Sequence, residues 1–373
     1  MLGISLYLFA FVIIAFLGRS LPQKKQVSFE SIASFILVFV LFGFRDLPIL
    51  NDTAHYYAHF QEILGTDWGS VFSIDPDDRF EYGYQIFEKL VAKIFRNPYS
   101  IIFISALIIT VTNIYFIKEY TVHVALAVYV YLTQMILLLQ FSAIRQALAI
   151  CCFYIAFKQL DKGKLLRYFI LILLASSFHS SAIILLFVPI ILRLPFNKRN
   201  VFIFILSSSL IAIFMMEIIR FLGFGGSDYF ERDLNRDSTA IGVLLKIAVA
   251  TVLIIVSVIQ LHRTKISRID RSLLWLSLLE VLFSVLSLRM MAIGRFASYF
   301  APFTSLLFIR TAFKNTNSIN RYRLNNPFVF NTILIVLYIQ FIIVLEFRPE
   351  WYHLIPYSFY NFGTTHINID FGY

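Results

Sequence analysis

From Leu2 to Phe347 the chain returns repeatedly to unbroken apolar runs, and these restrict its fold more than any motif does. A run of about 17 to 22 apolar residues, coiled as a helix, matches the hydrocarbon thickness of a bilayer. The runs are continuous and do not alternate every second residue, which argues against a membrane β-barrel. With 59% hydrophobic and only 14% charged residues, the composition is not that of a soluble globular protein. Counting runs gives about twelve transmembrane helices, at roughly 2–18, 28–44, 100–117, 121–139, 142–160, 167–178, 180–194, 201–222, 240–261, 272–288, 294–311 and 328–346. The expected fold class is all-α: a polytopic membrane protein built as a single transmembrane domain over residues 1–373. The connections near Gln140 and His179 are almost nil, so the two short runs meeting at His179 also fit a tightly turned hairpin. Leu2 to Leu17 lacks a small-residue cleavage site and reads as a first helix rather than a removable signal.

The formal net charge is +10. That balance would suit nucleic acid, yet the basic residues sit in short connections between runs, where membrane topology explains them. Connections on one side hold well over half of the 32 lysines and arginines, among them Lys24, Lys158, Lys162, Arg199, Arg268 and Arg310. That side is expected to be cytoplasmic, and both termini then face outward. So do a large loop at 45–99 between the second and third helices, a glycine-containing loop at 223–239, and the tail 347–373. Within the first loop, Phe80 to Phe95 spaces Tyr84, Phe87, Leu90, Val91 and Ile94 as on an amphipathic surface helix. Cys151 and Cys152 are adjacent in an apolar run and make neither a disulfide framework nor a metal cage.

Polar groups converge at the outward ends of the runs. Arg45 and Asp52 follow the second run, Arg145 and Gln146 the fourth, His179 the sixth, and Arg289 and Arg295 flank the turn between the tenth and eleventh. Ionisable groups at a membrane boundary are costly unless paired, hydrated or used. Snorkelling accounts for one or two of them, but poorly for four arginines and a histidine at one depth. If Thr53 onward is helical, Asp52 stands at its N-cap and Tyr56 lies one turn on. Arg145 is either half of an interhelical ion pair, to Glu280 or Glu217, or a fork for phosphate oxygens. Arg295 and Tyr299 share a helix face, and Arg289 with Arg295 either clamps a pyrophosphate or anchors the helix end. His179, among Ser176, Ser177, Ser180 and Ser181, is a packed structural histidine, an acid–base group or a phosphate ligand. His55 and His59 are four residues apart, but no HExxH and no third ligand accompany them, so no metal site is expected. Glu81-Tyr82-Gly83-Tyr84 sets a carboxylate beside aromatics able to stack on sugar rings.

In order along the chain, Phe44-Arg45-Asp46 with Asp52 and Tyr56, Glu81-Tyr82-Gly83-Tyr84, Ile144-Arg145-Gln146, Phe178-His179-Ser180-Ser181, Gly294-Arg295-Phe296 with Tyr299, and Ile355-Pro356-Tyr357 resemble the EpsG-like branch of Wzy-type polysaccharide polymerases. One departure stands out: the family tends to have glycine before the aspartate, where this chain has Asn51. The resemblance implies a glycosyltransferase-C-like membrane fold in the bacterial cytoplasmic (inner) membrane. It implies an enzyme that joins undecaprenyl-pyrophosphate-linked oligosaccharide repeats into O-antigen or exopolysaccharide on the outer face. Lipid-linked oligosaccharides and membrane lipids are the implied partners, with room for a chain-length regulator protein and no role for nucleic acid.

That chemistry suits the residues. A lipid-pyrophosphate leaving group needs cations, and fixed arginines can supply them without a metal or other cofactor. Arg45, Tyr56, Arg145, Arg289, Arg295 and Tyr299 are the expected substrate-binding residues. Asp52 is the first choice for the base that takes the acceptor proton, ahead of Glu81 and His179. A helix start and a neighbouring arginine are expected to lower the carboxyl pKa of Asp52, which burial would offset. An O-antigen ligase or another lipid-linked glycosyltransferase would use the same donor. A flippase would instead line a path across the bilayer with polar groups, whereas these gather at one end.

Overall fold

The computed structural model describes residues 2–69, 80–221, 240–262, 266–314 and 326–362. The expected loop at 223–239 lies outside the described residues, as do Asp75, Asp77 and Asp78 of the 45–99 connection. Helices α1 (Leu2–Gly18) and α2 (Gln23–Gly43) lead to α3 (Thr53–Leu64) and α4 (Tyr82–Ile94). There follow α5 (Ser100–Tyr120), α6 (Val124–Thr133), α7 (Ile136–Ser142), α8 (Ile144–Asp161) and α9 (Leu165–Phe178). A 3₁₀ segment, Ser180–Phe187, runs into α10 (Val188–Arg193) and then α11 (Lys198–Phe221). The remainder is α12 (Ala240–Leu261), α13 (Arg268–Leu286), α14 (Gly294–Ala312) and α15 (Pro327–Phe347). Among the described residues there is no strand, only an isolated bridge between Arg45 and Phe359.

Each apolar run read from the sequence carries helix. Five described helices, α2, α5, α12, α14 and α15, are long and apolar enough to cross a membrane, and α6 with α7 makes a sixth if that bent pair is one span. The chain is therefore a multi-pass, all-helical membrane protein. The runs at 2–18, 167–178 and 180–194 form shorter apolar helices. At His179 the backbone turns extended, ends α9, and lets the Ser180–Phe187 segment fold back against it. The hairpin alternative holds there.

The run at 121–139 is broken rather than continuous: α6 and α7 meet at 71°. Met135 sits in the left-handed region at φ 62, unusual for a side chain of its size. Gln134 donates to Ser305 Oγ at 2.7 Å, and Gln140 joins Asn113 (2.7 Å) and Tyr154 (3.2 Å). Side-chain amides thus tie the broken segment to its neighbours, as broken helices inside a bilayer require. Aromatic stacking adds to the packing; the rings of Phe42 and Phe141 lie 4.1 Å apart at 8°.

The segment after α15 grips the turn after α2. Asp46 N–H donates to Ser358 O (3.0 Å), Leu50 N–H to Tyr352 O (2.8 Å) and Tyr360 N–H to Phe44 O (2.9 Å). Tyr99 donates its hydroxyl to Arg45 O (2.6 Å) and stacks on Tyr360 with centroids 3.9 Å apart. Asn51 donates to Glu350 O (3.1 Å) and pairs with His353 Nδ1 (2.9 Å), contacts a glycine could not make. The departure at Asn51 thus has a structural use: it binds the tail.

Candidate active site

Three elements remote in sequence meet at the end of the bundle that carries the α2–α5 connection. Glu81 is the residue before α4, but its carboxylate does not cap that helix. It turns away and accepts three hydrogen bonds instead. Arg145 Nη1 donates to Oε2 at 2.6 Å, His179 Nδ1 lies 2.9 Å from Oε1, and Ser180 N–H donates to Oε1 at 3.0 Å. The guanidinium of Arg145 also lies over the Phe80 ring, 4.6 Å from its centroid. Arg145 is the second residue of α8, so it adds its charge to the electropositive end of that helix.

Gly83 explains why α4 comes so close. A Cβ there would lie 2.6 Å from the Ser177 carbonyl oxygen, nearer than any side chain can approach. Only glycine lets the first turn of α4 rest on the end of α9, which brings Glu81 within reach of His179. Tyr84, one residue on, is buried and packs against Tyr56 and Phe80.

Burial pushes the Glu81 carboxyl up, but the His179 hydrogen bond, the Arg145 charge and the Ser180 N–H outweigh it and hold it down at about 2. Asp52 differs. It stands at the start of α3, where its carbonyl accepts from Tyr56 N–H at 3.1 Å but its side chain makes no capping bond. Its carboxyl is raised by burial against the opposing pull of His55, Arg145 and Arg295, so burial prevails over the expected lowering. Two carboxyls in one site are pushed in opposite directions.

Tyr56 is buried beneath the group, and the Arg145 N–H approaches its hydroxyl at 3.5 Å. Tyr299 is fully buried and shares a hydrogen bond of 3.0 Å with Ser181, linking α14 to the hairpin. Gln146 donates to the Arg295 carbonyl at 2.6 Å, and the Arg295 side chain is exposed within electrostatic reach of Asp52 and Tyr299. The fold therefore brings Asp52, Tyr56, Glu81, Arg145, His179, Arg295 and Tyr299 together. It leaves two expected binding residues apart. Arg45 is fully buried, and its guanidinium donates to Thr53 Oγ1 (3.0 Å), Phe141 O (2.9 Å) and Phe42 O. It is a strut between α2, α3 and α7. Arg289 is exposed in the turn before α14, with no side-chain contact to the cluster among the described residues.

The Arg145 partner is Glu81, not Glu280 or Glu217. Glu280 instead accepts from Thr304. His59 pairs with Glu88 at 2.8 Å, and among the described residues no three of His, Cys, Asp or Glu are grouped to hold a metal ion. Sequence reading gave Phe80 and Ser181 no role of their own in the site. Phe80 directly precedes Glu81, so an aromatic beside a buried carboxylate was the available signal.

A hydrogen-bonded carboxylate, imidazole and guanidinium at one end of an apolar helical bundle define a membrane protein with a chemically equipped face. The model of the EpsG family matches residues 31–359, and the chain belongs to that family of polysaccharide-polymerase-type membrane proteins. No curated protein and no solved structure matches the chain.

Proposed function

We propose that the chain is a glycosyltransferase that polymerises lipid-linked oligosaccharide repeats into O-antigen or exopolysaccharide. It acts at the outer face of the bacterial cytoplasmic membrane and draws the growing glycan from undecaprenyl pyrophosphate. The full reading is a glycosyltransferase-C-like bundle of about twelve spans, with both termini and the 45–99 loop outward, as the positive-inside bias implies. Lipid-linked repeats are its substrates, and a chain-length regulator is the protein partner this reading leaves room for.

The observation that carries it is the hydrogen-bonded group of Glu81, Arg145, His179 and Ser180 at one end of the bundle, with Asp52 and Arg295 in electrostatic reach. Asp52, its carboxyl raised by burial and making no capping bond to α3, is the group suited to take the acceptor hydroxyl proton. Glu81, held ionised, orients His179 and Arg145 instead of titrating. Arg145 and Arg295 stabilise the negative charge that develops on the departing pyrophosphate, a role that needs no metal. Tyr56 and Tyr299 shape the site, and Arg45 positions α3 and so Asp52.

Glycan length on cells lacking the gene tests the function. A cap of one repeat on the surface supports polymerisation. Glycan absent from its acceptor would make the protein a ligase, and repeats trapped inside would make it a flippase.

A further inference from the structure

Beside the candidate site lies a cavity of about 290 Å³. Aliphatic side chains such as Leu245 and Val249 of α12, Ile343 and Val344 of α15, and Ala147 of α8 form its walls. Part of its lining is polar: Gln134 donates to Ser305, Gln140 engages Asn113 and Glu280 accepts from Thr304, while Lys246 and Gln340 also face it, the Gln340 Oε1 without a hydrogen-bond partner among the described residues. Most of the wall is nevertheless aliphatic, as a hydrocarbon chain requires.

Two features say what enters. Helices α12 and α15 both line the cavity yet have almost no direct contact with each other, and Leu244 and Ile339 beside it are exposed, 53% and 49%. An apolar cleft between two apolar helices opens toward lipid, not water. At the other end, Gln146 lines the chamber and holds the Arg295 carbonyl. Ser298, another lining residue, lies three positions after Arg295 and shares its helix face. Arg295 therefore stands above the wall, and Arg348 forms part of the rim. Trp351 closes the mouth against α12, its ring so near Gly242 that a Cβ there would lie 2.5 Å away. Apolar walls, a lateral cleft and an arginine rim describe a site for an anionic amphiphile.

We infer that this cavity receives the hydrocarbon chain of a lipid pyrophosphate, which enters sideways between α12 and α15 with its anionic head directed to Arg295. That the chain is isoprenyl rather than acyl rests on the function proposed above.

The test uses the full-length protein in nanodiscs and a diazirine-bearing isoprenyl pyrophosphate, with cross-links mapped by mass spectrometry. Labels are expected on 241–249 of α12 and 340–347 of α15, and unlabelled isoprenyl pyrophosphate should compete for them. Val344→Trp fills the chamber and should cut labelling about tenfold, roughly 1.4 kcal/mol of binding. If that variant does not fold, the map on the unaltered protein decides: labels confined to other helices overturn the inference. Equal competition by phosphatidylglycerol also overturns it, since the cleft would then hold ordinary bilayer lipid. Glu81→Gln should keep full labelling while making no polymer. A labelled cavity in cells whose glycan length does not depend on the gene leaves this inference standing and removes the polymerase reading. Polymer formation with the cavity unlabelled does the reverse.

Discussion

Gly83 rests on Ser177 with no room for a side chain between them: a Cβ at Gly83 would sit 2.6 Å from the Ser177 carbonyl and 2.2 Å from its hydroxyl. The hydroxyl can rotate away, but the carbonyl belongs to the backbone of α9. Gly83→Ala must therefore lift the start of α4, and Glu81 is two residues before it. A shift near 1 Å in a catalytic constellation can cost about 100-fold in rate. We expect Gly83→Ala to lower polymer synthesis by about that factor while membrane insertion and protein level stay normal. Unchanged polymer would show that the Glu81–His179 contact tolerates displacement.

Glu81 carries a pH signature of its own. Its carboxyl is held at about 2 in the folded protein, below the ordinary value of 4.5. A depressed carboxylate contributes stability that is fully present above the unfolded value and is lost as pH falls toward the folded one. Glu81→Gln should lower the thermal midpoint in detergent at neutral pH, and the gap to the parent protein should close between about pH 4.5 and 2. A pH-independent gap would mean that packing, not charge, had been lost.

Asp52 predicts the opposite sign. Burial raises its carboxyl, so the fold favours the neutral form and ionisation works against folding as pH rises. Its side chain makes no capping bond, so Asp52→Asn removes charge without removing a helix contact. The Asn variant should be as stable as the parent at neutral pH or slightly more so, while transfer falls by about 100-fold or more. In the parent, kcat/KM should decline on the acid side at a pH above the ordinary carboxylate value of about 3.9. Normal polymer from Asp52→Asn would return this residue to a structural role.

The helical runs, the start of α3 at Thr53 and the gathering of charge at one end were all legible in the sequence, because each depends on local pattern and membrane cost. The partnership of Glu81 with Arg145 and His179 was not, since it depends on how α4 crosses α9. Gly83 held that information, but a lone glycine in a helix does not say what approaches it. Arg45 misled for a related reason. A boundary arginine reads as available until the tertiary fold supplies three acceptors for it, and here Thr53, Phe42 and Phe141 do. The break at Met135 left no trace, because neither glycine nor proline marks it.

The arginines separate by position, and lysine substitution should rank them. Arg145 donates through Nη1 to Glu81 and lays its planar guanidinium on the Phe80 ring, so Arg145→Lys keeps the charge but loses the planar stack and the fixed donor. We expect about a 100-fold loss of transfer, comparable to removing one preorganised donor from a developing anion. Arg295 is exposed and has no fixed side-chain partner among the described residues, so its proposed role rests on charge more than on geometry and Arg295→Lys should cost about tenfold. Arg289 lies apart in the turn, and Arg289→Lys should leave transfer within about a factor of two. Each variant is compared as membranes of matched protein content, with and without EDTA, using lipid-linked repeats as substrate. If the arginines alone stabilise the departing pyrophosphate, as proposed, EDTA should leave the ranking and the rates unchanged. Strict dependence on a divalent ion would reassign the pyrophosphate to a metal, and equal losses in all three variants would show that only net charge matters.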